Sequence, residues 1–128
     1  MESEKLLKNA LLANAIFSTI SGLTFMLASG AVADLVGLGE PWLNQGLGAG
    51  LLGFAVLVGW TATRPSIDTA LARMISFGDF GWVLGTMVVI ALFFGQLNAM
   101  GILAMLVIAA IVLVFGLSQL RGIQVAAA

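Results

Sequence analysis

The sequence has no cysteine and no histidine, and charged residues make up only 9% of it. Without cysteine, disulfides and thiolate metal sites are excluded. Without histidine the chain lacks the commonest metal ligand, the usual haem ligand and the side chain best placed to titrate near neutrality. Ser and Thr therefore have no imidazole base, and no enzyme activity and no cofactor are expected. A soluble domain carries about 25% charged residues, because its surface faces water. This chain, 61% hydrophobic over 128 residues, cannot cover itself in that way. Its solvent must be largely lipid, so the bilayer is its first partner. The formal net charge of −1 provides no basic field for nucleic acid.

What the chain does have is long apolar runs. A helix crossing about 30 Å of hydrocarbon needs about 20 mostly apolar residues. Charge-free stretches of that length are Asn9–Ala33, Pro41–Thr63 and a very long one from Phe80 to Leu120. Gly95-Gln96-Leu97-Asn98 divides the last, with Gly95 suited to a helix end and Asn98 to an N-cap. The expected architecture is all-α: one transmembrane domain, 1–128, forming a four-helix bundle with spans at about 9–29, 42–62, 74–94 and 99–120. Continuous strands are not expected, since the apolar runs do not alternate as barrel strands must.

Trp42 and Trp60 support the second span, because 18 residues of helix separate them by about 27 Å, close to the spacing of the two interfacial belts. Pro41 suits a first helical turn. After Arg64-Pro65, Ser66 is the expected N-cap of the third helix, with Asp68 in its first turn.

All five cations, Lys5, Lys8, Arg64, Arg73 and Arg121, fall on one side of this arrangement, while Asp34 and Glu40 lie on the other. The positive-inside rule then makes both termini cytoplasmic, N-in and C-in, in a bacterial-type plasma membrane. A rival reading takes Lys5 and Lys8, the first apolar run and Ala31-Val32-Ala33 as a signal peptide cleaved before Asp34. That run is longer than a signal peptide needs, and Glu2 and Glu4 offset its positive start.

In lipid, helices associate through close backbone approach and interhelical hydrogen bonds. Small residues three and four apart mark the expected packing faces. These are Gly46, Gly50 and Gly53 on the second helix, and Gly78, Gly81 and Gly85 on the third. Ala15, Ser18, Thr19 and Gly22 form a similar row on the first, and Gly101, Ala104 and Ala109 a weaker one on the fourth. The expected role of these faces is contact within the bundle. The sharper alternative is that one stripe, on the second helix, meets another copy or another membrane protein.

Asp79 is the one charged residue well inside a span, six residues beyond Arg73 and so about 9 Å deeper. A carboxylate at that depth faces the bundle interior or a water cavity. Trp82 lies further inward still. Asn14 lies six residues beyond Lys8 on a helix parallel to that of Asp79, so the two are expected at one level. Asn14, Ser18 and Ser21 form one polar stripe. Two roles compete for this candidate intramembrane polar site of Asp79, Asn14, Ser18 and Trp82. It is either a hydrogen-bonded clamp fixing helix register or a proton- or cation-coupled site.

The run Asn9-Ala10-Leu11-Leu12-Ala13-Asn14-Ala15, followed by Ser18, Ser21 and Gly22, resembles the opening of uncharacterised small four-span bacterial integral membrane proteins. The likeness covers the first helix and the general layout, and it implies a four-span fold but no activity. Small multidrug transporters carry an embedded Glu in their first helix, where this chain has only Asn14. Small fluoride channels insert in both orientations, which the one-sided cations oppose.

Overall fold

The computed structural model describes residues 2–37 and 41–127, without the side chains of residues 2, 3, 36, 41–43, 126 and 127. Five helices make up the described chain: α1 (Glu2–Leu27), α2 (Ser29–Val36), α3 (Pro41–Ala62), α4 (Thr69–Phe93) and α5 (Ala99–Ala127). Four of them, all but α2, are long and apolar enough to cross a membrane. Their surfaces agree with that medium: Leu27, Val56, Met74, Leu84 and Leu92 stand largely exposed. An exterior this apolar would be untenable in water over so many residues. Hydroxyls are satisfied locally, as lipid requires. Thr19, Thr24, Thr61, Thr63 and Thr86 each donate to the carbonyl four residues earlier.

Three boundaries differ from the sequence reading. α1 does not end in a loop: after an irregular step at Ala28 the chain continues as α2, which packs mainly on α3. α2 stops at Gly37, whose φ of 81° only glycine adopts freely. A side chain there would also meet the Asn98 amide at 3.0 Å. Asn98 holds the expected N-cap position of α5, its carbonyl accepting the Ile102 amide, while its side-chain amide donates to the Asp34 and Leu35 carbonyls at 2.9 and 3.2 Å. It thereby satisfies the orphan acceptors that end α2. The N-cap of α4 is Asp68 and not Ser66. Its carboxylate accepts from the Ala70 and Leu71 amides, while its own backbone is extended. A carboxylate placed to reach two orphan amides is the stronger cap. α5 runs past the expected end at residue 120, because Gly122 and Ile123 are buried against α1.

α1 lies between α3 and α5, and α4 packs on α5, so the order around the bundle is α3–α1–α5–α4. The ends of that row, α3 and α4, meet sparingly. They come together mainly near their connecting loop, where Val58 and Ala62 join Ala72 and Ile75 in an apolar cluster with Leu7, Leu11 and Ile123. Leu7 against Gly122 puts both chain ends at this same end of the bundle. Lys5, Lys8 and Arg64 gather there about a polar cavity of about 590 Å³. The Arg64 guanidinium lies 4.8 Å over the Trp60 ring, which is itself half exposed. The one-sided cations of the sequence are therefore one-ended in space. Glu40 and the Trp42 side chain lie outside the described residues.

The glycine faces expected on the second and third long helices make almost no close contact within the described chain. Within the described chain, nothing lies within 4 Å of where a side chain would stand at Gly46, Gly50, Gly53, Gly81 or Gly85, and Gly78 meets only the Phe54 ring at 3.3 Å. The close approaches are made elsewhere. A Cβ on Gly48 would stand 2.7 Å from the Gly22 carbonyl oxygen, and one on Gly22 would stand 2.9 Å from that of Gly48. A Cβ on Gly122 would stand 2.8 Å from the Leu7 backbone, and one on Gly116 2.6 Å from the Phe80 ring. Glycine thus joins α1 to α3 and α1 to α5 backbone to backbone, through Gly22 of the expected α1 row and through Gly48 and Gly122, which lie outside the expected rows.

Candidate polar site inside the bundle

Asp79 sits on α4 one turn beyond Ser76, on the face turned to α1 and α5. It is 3% exposed. Asn14 on α1 donates its amide to both carboxylate oxygens, at 3.3 and 3.0 Å. Gln119 on α5 donates to one of them at 2.9 Å and to the Ser76 hydroxyl at 3.0 Å. Asn14 also donates to the Gln119 side-chain oxygen at 2.8 Å, which closes a triangle of three side chains from three helices. Ser18, one turn along α1, donates to the Asn14 oxygen at 3.1 Å. Asn14 and Gln119 are 1% and 0% exposed. No buried side-chain nitrogen or oxygen among the described residues lacks a partner.

Each position follows from local chemistry. Ser76 and Asp79 share an α4 face through three-residue spacing, and Asn14 and Ser18 share an α1 face through four-residue spacing. Antiparallel α5 brings Gln119 alongside because Gly122 lets its backbone touch α1 at Leu7. The two amides can donate and accept at once, so each bridges two neighbours. The partners of Asp79 are all neutral: they are amide N–H groups, and none is a guanidinium or ammonium.

Of the residues singled out from sequence, Asn14, Ser18 and Asp79 are brought into one network. Trp82 is beside it without bonding to it: it lines a cavity of about 300 Å³ that the same Asp79, Asn14 and Ser18 border. All four long helices wall this cavity. Phe17, Phe25, Phe54 and Trp82 supply aromatic surface, and Gly46 and Gly50 on α3 face Gly78 on α4 across it. Sequence reasoning missed Gln119 and Ser76. Ser76 was available from its spacing to Asp79. Gln119 was hidden by a span drawn to end beside it. No protein family, no curated protein and no solved structure matches this chain.

Proposed function

We propose that the chain is an interaction or structural component of a bacterial-type plasma membrane, with both termini cytoplasmic and no catalytic role of its own. One observation supports this above others: Asp79 is satisfied from within, by Asn14 and Gln119 on two further helices. Polar groups so placed fix register and orientation between helices that lipid alone would leave free to slide. The open glycines of α3 and α4 then offer close-approach faces to a second copy or to another membrane protein. Two measurements test the reading. Reporter fusions after Gly39, Ser66, Asn98 and Ala128 are expected to alternate outside, inside, outside, inside; any other order overturns the orientation. Gly50→Leu is expected to reduce oligomer size or partner recovery without unfolding the chain, and an unchanged assembly removes that face from the proposal.

A second reading, a small oligomeric proton- or cation-coupled transporter or channel, is favoured by the cavity that Asp79 borders. An assay of pH-driven ion flux in proteoliposomes separates the two. Flux that Asp79→Asn abolishes supports transport, and no flux from either protein supports the interaction role.

A further inference from the structure

We propose that the cavity between α1, α3, α4 and α5 is a binding site for a lipophilic organic monocation, entered sideways from the bilayer between α3 and α4. The site stands whether or not the chain moves its ligand, and it rests on the second reading above, since it needs the glycine face of α3 and α4 open to lipid and not covered by a second copy.

Charge complementarity carries the inference. The Asp79 carboxylate borders the cavity, and its own partners are neutral amides. A carboxylate accepts about four hydrogen bonds, and only two amide nitrogens, those of Asn14 and Gln119, donate to this one. Neither its acceptor capacity nor its charge is fully met by the protein. No lysine or arginine lines the cavity. In a medium of low dielectric a cation seated in the cavity supplies the counter-charge that a buried carboxylate needs in order to stay ionised.

The remaining walls say which cation. Phe17, Phe25, Phe54 and Trp82 present aromatic surface, whose negative ring faces hold organic ammonium groups. A Ca²⁺ ion does not fit, since it takes 6–8 oxygen ligands, whereas the lining side chains here add only the Asn14 amide oxygen and the Ser18 and Ser21 hydroxyls to a carboxylate already engaged by amides. A volume of about 300 Å³ suits a compact molecule with one charged centre and an apolar body. The route is lateral. α3 and α4 scarcely touch, and Gly46 and Gly50 border the cavity while exposed, with open space where side chains would stand.

The test is equilibrium binding of tritiated benzyltrimethylammonium to the full chain in nanodiscs, after subtraction of empty nanodiscs. Neopentylbenzene, its uncharged isostere, is the competitor. Saturable binding is expected, with the isostere at least about tenfold weaker and Asp79→Asn lowering cation affinity to the level of the isostere. An absence of saturable cation binding overturns the proposal. So does an isostere that competes equally, or an Asp79→Asn protein that binds as wild type, since either leaves only an apolar hollow. If Asp79→Asn does not fold, Gly50→Leu takes its place. The leucine obstructs the α3 wall, and it is expected to cut cation binding at least about tenfold with helical content retained. Unchanged binding to a folded Gly50→Leu protein rejects the site.

Discussion

α3 carries glycines on two faces, and the two meet opposite fates. Gly48 presses on the backbone of α1 at Gly22, so closely that neither residue has room for a methyl group. Gly46 and Gly50, two residues to either side, look across an open cavity toward α4 and touch nothing within 4 Å among the described residues. The residue type is identical and the spacing similar; only the partner differs. A small-residue stripe therefore identifies a face that permits close approach, while the rest of the bundle decides whether anything approaches it.

The contrast is broken most strongly by Gly48→Leu. Its side chain must displace the Gly22 carbonyl and the Met26 backbone, and neither is the free end of a flexible group. A loss of about 3 kcal/mol is expected, at the upper end for overpacking, measured by thermal or denaturant unfolding in detergent. Gln119→Leu comes next. It leaves Ser76 and one side of the Asn14 amide without their partner, and a loss of about 1–3 kcal/mol is expected in the same assay. Asn98→Ala removes the donor to two α2 carbonyls near the surface, so about 1 kcal/mol is expected, with faster amide exchange confined to the end of α2. Gly50→Leu sharpens the comparison by its weakness. Monomer stability is expected to stay within about 0.5 kcal/mol of wild type, because the added atoms enter open space. A Gly50→Leu protein as damaged as Gly48→Leu would mean that the two faces of α3 are not different after all.

Much of the architecture was legible in the chain because lipid imposes simple rules. Charge-free runs marked four helices, and cations at the ends of those runs set a depth scale. On that scale Asn14 and Asp79, each six residues beyond a cation on parallel helices, belong at one level, and the structure joins them. The same scale misplaced the end of α5. Arg121 marks the boundary on that scale, but the helix continues to Ala127, since Gly122 and Ile123 bury their turn against Leu7. Gln119 thus lies two turns inside a helix end and not at it. The segment of α2 falls between expected spans that end near 29 and begin near 42, so the sequence reading makes it loop. Only its packing on α3 and the Asn98 cap give that stretch a reason to be helical. Gly48 escaped notice because a face is visible in spacing, whereas the helix that meets it depends on the order in which four helices assemble.

The network of Asp79, Asn14 and Gln119 is the centre of this account, for it joins α1, α4 and α5 and borders the aromatic-lined cavity between the four long helices. A double-mutant cycle with Asn14→Ala and Asp79→Ala, followed by unfolding in detergent, measures it directly. Residues bonded within one network show interaction energies of about 0.5–3 kcal/mol, and a value in that range is predicted here. Losses that simply add, with a coupling near zero, would contradict the account.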